Sequence, residues 1–590
     1  MTDTPLLDLT LPRTLDQWVA RFSTAEWRGA TVEGWLFEDA PARRAAEARL
    51  RRAGVHATLR SAYKPLVHFF LEEVDCARIT SAVITYPVHG AATARRFLLE
   101  AYPLAAMLPA CEPVFVAGND TLDYHVALTF DDGTQEHVFV AAPNRVHTDF
   151  IGSTLLSPTG WLRASAQVYG VPHLNAAEST DYEQLFDQVV QLATGHAWPA
   201  QESYFERLDI RVDLPGGEQA LPLPGEVISR HEALHEDLYF SLMEIFQRRS
   251  GRAEGDRRLQ PGQIVPDIRF TGGAPRLRVT LSRFDRAAQD AHAVDPQAPP
   301  LQALATLAHP PHPEQIAATL TALGGDTFGA TTRQGRAVWG LNLGGSGAPV
   351  LVSSGQHANE TSGIVGTLRA AEQLKAAGSA FALVALENPD GYALHRELRA
   401  QHPLHIHHAA RYSALGDDIE YRDGTALYER EARERALALS GAQLHINLHG
   451  YPAHEWTRPL TGYVPRGFGL WTIPKGFFLI LRHQPGWATE CRALLEAVCE
   501  ALLDVSGLPG YNARQMALYR QHAGELPFDI LHGTAYTQTE TTPARPGAPV
   551  TLITEFPDET VAGDDFRFAH TVQMRTVLAA TAAWQRIARA

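Results

Sequence analysis

Two stretches of the chain carry side chains whose type and spacing could hold a metal ion. The first, "SRHEALHEDL", spells His-Glu-x-x-His with His231, Glu232 and His235. On a helix that pattern brings two imidazoles to one face, with the carboxylate between them as a base. A zinc-protease helix buries the flanks of its motif, whereas Arg230, Glu236 and Asp237 surround this one. The stretch is therefore expected to be a structural amphipathic helix whose histidines sit on a solvated face. The second stretch, "APVLVSSGQHANETSG", places His357 and Glu360 just beyond an apolar run and at the mouth of a helix. Open α/β sheets form their sites at such strand ends. One nitrogen and one carboxylate call for a third donor, and "HINLHGYP" offers His449 at the close of another apolar strand. Two histidines and a glutamate are a known set for catalytic zinc, with the fourth position left to water.

The elements that must position these residues follow from periodicity. Downstream of residue 313 the rhythm is regular. "PEQIAATLTALGG" has a helical period and a glycine stop, and "SGIVGTLRAAEQLKAAG" carries Ile364, Val365, Leu368 and Ala371 on one helical face. "AVWGLNL", "APVLVSS", "FALVAL", "AQLHINL" and "VTLITEF" read as strands, several nearly all apolar and so central in a sheet. "FAHTVQMRTVLAATAAWQRIARA" reads as a closing amphipathic helix. Strands alternating with helices predict an α/β fold, a mixed central sheet flanked by helices, over residues 314–590. Upstream, "ARRFLLEAYPLAAML" reads as a helix and "YHVALTFDDGTQEHVFVAA" as a hairpin turned at Asp-Asp-Gly. Residues 1–295 are expected to form an N-terminal α+β accessory region of one or two subdomains. The six prolines between His292 and Pro313 suit a boundary.

Bulk composition narrows the function. A chain of 590 residues is too long for one core. Its net charge of −15 argues against nucleic acid or an anionic membrane surface as partner, since both need a basic footprint. No apolar run reaches the ~20 residues of a membrane helix. The start "MTDTPLLDLTLPRTLDQW" has no basic-then-apolar signal, so a cytoplasmic protein is the expectation. Four cysteines are too few for a disulfide framework, and Cys491 and Cys499, eight apart, are expected on the buried face of a helix.

Between residue 314 and the C-terminus, somewhat under half the chain, the sequence resembles the zinc carboxypeptidases of the M14 (funnelin) family. "TTRQGRAVWGLNL" is similar to the strand pair before the family's first metal motif, and "GQHANETSG" to its His-x-x-Glu pair. "ENPDGY" resembles its Asn-Pro-Asp-Gly turn, "NLHGY" sits where its third ligand falls, and "TLITEFPDET" resembles the last strand, which ends in the catalytic glutamate. The resemblance implies one zinc ion on His357, Glu360 and His449, with Glu555 as general base and acid. It implies a cation for the oxyanion, for which Arg399 is the candidate with Arg396 and Arg411 as rivals. For the substrate it implies Arg422, near the family's distance after the turn, and Tyr536 in place of the family's mobile tyrosine. The substrate would be a peptide or small amide. The family's Asn-Arg pair is absent, since the chain reads "GDDIEYRDG".

Alternatives accompany each assignment. Glu540 in "YTQTETTPA" competes with Glu555, which is preferred for its more apolar strand and its place before the last helix. His445 is expected to be buried structure. His402, His405, His407 and His408 form a His-rich tract with no carboxylate at ligand spacing in the sequence. His454 and Glu455 could line or merely follow the cleft. The expected reaction is metallocarboxypeptidase hydrolysis. A related zinc amide hydrolase or deacylase acting on modified amino acids is the second reading, and a catalytically silent zinc-binding module the third.

Overall fold

The computed structural model describes residues 5–165, 173–284, 301–424, 426–463, 466–542 and 547–588. The limit expected at residue 295 and the first part of the proline-rich stretch, 292–300, lie outside the described residues. The remainder of that stretch is tied to the C-terminal half: Leu304 and Leu307 are buried in its core.

The C-terminal half is built on a nine-stranded mixed sheet. Its middle is four parallel strands in the spatial order Ser379–Val384, Ser346–Ser354, Leu444–Tyr451 and Val550–Pro557. Strands of this block read as apolar runs because helices cover both faces. On one face Ser362–Ala376 packs against Gly563–Ile587, burying Ile364, Val365, Leu368 and Ala371 as the period predicts. Arg430–Ser440 covers the other face against Ala337–Leu343 and Ser379–Val384. Asp326–Thr331 and Ala337–Leu343 form the antiparallel edge pair. Phe478–His483, antiparallel to Val550–Pro557, carries the sheet on to Thr534–Glu540 and Asp529–Leu531. Cys491 and Cys499 are buried in the helix Ala488–Leu502.

Among the described residues the N-terminal half holds three four-stranded sheets, all of them mixed, one built around Arg207–Leu214. The hairpin Asp123–Phe130 with Gln135–Ala141 is present as the Asp-Asp-Gly turn predicts. The helix expected over "ARRFLLEAYPLAAML" is broken into Arg96–Glu100 and Leu104–Met107. Pro103 sits between them and has no N–H to donate. One hydrophobic core runs through this half and continues into Leu394, Leu398, Ile406, Tyr412, Trp456 and Tyr463 of the C-terminal half.

The largest departure is the helix Arg230–Ser250 that carries His-Glu-x-x-His. Residues 230–242 are all buried, so the solvated face expected for His231 and His235 does not exist. Buried charges require partners, and here they come from the far half. Glu232 meets His454 at 2.8 Å, Glu236 meets His408 at 2.6 Å, and Asp237 accepts from Thr461 Oγ1 at 2.7 Å. His235 Nδ1 is 2.9 Å from Pro266 O.

The helix Pro389–Gln401 carries a buried histidine of another kind: His395 is 1% exposed, and neither ring nitrogen has a hydrogen-bond partner among the described residues. Burial, with Arg399 adding to it, holds this imidazole at about 3 against an ordinary 6.5. It stays neutral in the folded chain but charges in the unfolded chain, so its stabilising contribution is complete above pH 6.5 and drains away as pH falls toward 3. His395→Leu is expected to stabilise the protein, and to do so by ~2 kcal/mol more at pH 5 than at pH 8. Thermal unfolding of variant and parent at both pH values measures this, and an equal Tm difference at the two would refute it.

Candidate metal centre and cleft

Side chains from three strand ends meet at one point. His357 and Glu360 follow the strand Ser346–Ser354, while His449 and Glu555 face each other in register on the adjacent strands Leu444–Tyr451 and Val550–Pro557. His357 Nδ1 lies 2.8 Å from Glu360 Oε1, His449 Nδ1 lies 2.8 Å from Glu360 Oε2, and the two Nδ1 atoms are 3.1 Å apart. The three residues are buried, and their donor atoms all lie within 4.8 Å of one another. Two imidazole nitrogens aimed at each other and at one carboxylate are what a shared cation requires. Ligand atoms at zinc-bond lengths on a tetrahedron stand about 3.3 Å apart, close to the spacing seen.

Electrostatics point the same way. Although burial alone would raise it, His357, Arg411 and His449 hold the Glu360 carboxyl well below its ordinary range. Burial and the negative Glu360 push Glu555 well up, and burial raises Asp558 to about 7 and Glu559 well above the usual carboxylate value. Glu555 Oε2, Asp558 Oδ1 and both oxygens of Glu559 are buried without hydrogen-bond partners among the described residues. If all four buried carboxyls ionise, they carry an excess of negative charge that a divalent cation would balance.

Local sequence explains the approach. A Cβ on Gly450 would fall 2.0 Å from Asp558 Oδ1, so glycine lets the strand end close on its neighbour, and Gly450 N donates to Glu360 Oε2 at 3.0 Å. In the Asn-Pro-Asp-Gly turn, Asn388 Oδ1 caps the following helix by accepting from Gly391 N at 2.9 Å. Its Nδ2 donates to Tyr412 O at 3.1 Å and to Gln356 O and Arg411 O at 3.4 Å. One amide thus ties the loop bearing Arg411 to the residue before His357. Asp390 holds the edge hairpin through Thr332 Oγ1 and Arg336. Behind His357, Asp418 Oδ2 lies 3.5 Å from Nε2 and its other oxygen accepts from Gln356 at 2.9 Å. Such outer carboxylates orient a ligating ring.

The point opens into a cavity of about 600 Å³ lined in part by Arg411, His449, Tyr451, Trp471 and Glu555. His445, Asn447 and His449 alternate along one strand face, with His445 Nε2 2.8 Å from Ser353 Oγ. A cation absent from the sequence expectations sits beneath it. Lys475 is buried among Tyr451, Trp471 and Phe478, its Nζ 4.5 Å from the Tyr451 ring centre. Burial brings it down to about 7, with Glu555 opposing.

Three expected residues are not at the cavity. Arg399 points to His309 at 3.3 Å; the rival Arg411 is the guanidinium in place, donating to Glu360 Oε1 at 2.5 Å. Arg422 is fully buried and spends its donors on Asp417, Ser413, Leu427 O and Glu429, so it faces no substrate. Tyr536 is half-buried on Thr534–Glu540, two strands beyond Val550–Pro557, and Glu540 is exposed at the end of that strand. Arg396 bonds His312 Nδ1. Arg257, Arg258, Arg430, Arg433 and Arg482 line the cavity, and none of them was expected there.

A mixed sheet flanked by helices thus brings two histidines and two glutamates together at parallel strand ends, a donor set that could hold a metal ion. No family model and no curated protein matches the chain. Among solved structures it is similar to a metallo-carboxypeptidase from Burkholderia cenocepacia, at 16% identity over 52% of this chain and 75% of that one, with a TM-score of 0.28. A metallo-carboxypeptidase from Pseudomonas aeruginosa aligns at 12% identity over 53% of this chain and 72% of that one, TM-score 0.29. Carboxypeptidase A from Helicoverpa armigera aligns at 11% identity over 54% and 91%, TM-score 0.30. No helix among the described residues is long and apolar enough to cross a membrane.

Proposed function

We propose that this chain is a zinc-dependent hydrolase of amide bonds, acting as a metallocarboxypeptidase of the M14 type on a peptide or small amide. The observation that carries the reading is the convergence of His357, Glu360 and His449 beside Glu555, whose buried Oε2 has no hydrogen-bond partner among the described residues, at the wall of one cavity. His357 Nδ1, Glu360 and His449 Nδ1 would hold the ion, which supplies Lewis acidity toward a carbonyl oxygen and acidifies a water. Glu555 takes the proton from the attacking water and delivers it to the leaving nitrogen. Arg411 steadies the charge that develops on the carbonyl oxygen. Trp471 and Tyr451 offer an apolar wall to the substrate.

A second reading rests on Arg422. Because it is locked in a buried network, recognition of a terminal carboxylate falls to another cavity arginine, or is absent as in an amide hydrolase for modified amino acids. Arg482 lines the cavity and has no ion-pair partner among the described residues, which favours recognition. The test is a panel of peptides with free and amidated C-termini, together with the zinc content of the parent and of His357→Ala. Carboxypeptidase action predicts at least about tenfold higher kcat/KM for the free acid, the loss of roughly one charge-assisted contact. Equal rates would leave the amide hydrolase, and zinc and turnover retained in His357→Ala would overturn the centre itself.

A further inference from the structure

Outside the cleft, a second set of donors gathers where the two halves of the chain meet. His402 follows the helix Pro389–Gln401, His405 lies three residues on, and Glu218 arrives from the N-terminal half just before the short strand Gln219–Ala220. One donor atom from each of the three lies within 4.8 Å of the others. The imidazoles of His402 and His405 stack with centres 4.5 Å apart and planes 4° off parallel, and Glu218 Oε1 meets His405 Nε2. His405 Nε2 also stands 3.0 Å from Ser229 Oγ, the residue that caps the helix Arg230–Ser250. His402 Nε2 is buried with no hydrogen-bond partner among the described residues. So is Nε2 of His231, a residue 6% exposed, whose ring lies 6.2 Å from that of His402. The His-rich tract thus gains in space the carboxylate it lacks in sequence, together with a histidine from the His-Glu-x-x-His helix.

We propose that Glu218, His402 and His405 form a second divalent metal site, with His231 beside it. Two imidazoles and a carboxylate suit a borderline ion such as zinc, nickel or cobalt better than calcium or magnesium, which take oxygen ligands. Neutral imidazoles are required for ligation. The ion would clamp the segment 402–411, which leads to Arg411, onto the N-terminal half. The proposal stands apart from the catalytic reading, because it shares no residue with the cleft.

The experiment is zinc binding to the chelator-stripped full chain, measured by equilibrium dialysis and thermal unfolding. The parent is expected to take up two equivalents, Glu218→Ala and His402→Ala one, and His357→Ala one. Glu218 is the primary variant because its side chain is 35% exposed and its loss should leave the fold intact. In a His357→Ala background the remaining equivalent should raise Tm, and that rise should vanish when Glu218→Ala is added. Zinc uptake unchanged by both Glu218→Ala and His402→Ala overturns the proposal, whether the parent takes up one equivalent or two. Failure of the catalytic centre would show differently, as zinc unaffected by His357→Ala.

Discussion

Glu555→Gln is expected to lower kcat/KM for amide hydrolysis by about 10²–10⁴ while bound zinc stays at the parent level. The glutamine keeps the volume and one acceptor oxygen of the original but cannot take a proton. Its site explains why the loss should be kinetic. Glu555 is buried beside His449, and the negative Glu360 is the chief charge pushing its carboxyl up. Removing a charge from that crowd should leave Tm unchanged or raise it, whereas a residue kept for structure would lower Tm on substitution. Three readouts, turnover, zinc content and Tm, therefore separate the possibilities. Zinc lost along with turnover would make Glu555 a ligand, and turnover retained would pass the base role to Glu559, whose two oxygens also have no hydrogen-bond partner among the described residues. Glu540→Gln serves as the control and is expected to change nothing, because Glu540 is exposed at the end of its strand.

The sequence was legible where a local pattern coincides with the position of a side chain in the sheet. An apolar run ending in His-x-x-Glu or in His-Gly marks a strand end, and parallel strands bring such ends together whatever the loops do. That is why His357, Glu360 and His449 could be named from residue type and order, whereas Glu555 came from the family resemblance. The arginines could not, because a guanidinium on a loop is placed by tertiary bonds. Asn388 reaches across to three carbonyls, and through them Arg411, not Arg399, is brought beside Glu360. Spacing after the turn drew attention to Arg422, but Asp417 and Glu429, five residues before it and seven after, claim it for the interior. The His-Glu-x-x-His helix misled for the same reason. Its acidic flanks look solvated until His408, His454 and Arg458 arrive from more than 150 residues away. Polarity in a sequence reports a need for partners, and water is only one of them.

Arg411 gives the second large effect. Arg411→Gln is expected to reduce kcat by about 10²–10³ with little change in KM, the pattern of a donor that acts on charge developing in the transition state. The physical ground is position and permanence. Its guanidinium lies 2.5 Å from Glu360 Oε1 and lines the cavity, and although burial works against it, Glu360 and Glu559 keep it charged at any working pH. Arg411→Lys keeps the charge without the fork and should recover only part of the loss. The other two arginines make the comparison decisive. Arg399→Gln is expected to stay within about twofold of the parent, below half of the ~1.4 kcal/mol that a tenfold change represents, because it bonds His309 and does not line the cavity. Arg422→Gln should unfold the region, costing about 3–5 kcal/mol as the partner of a buried ion network, with kcat per folded molecule unchanged. If Arg399→Gln instead loses turnover and Arg411→Gln does not, the loop that Asn388 holds is not the one that meets the substrate.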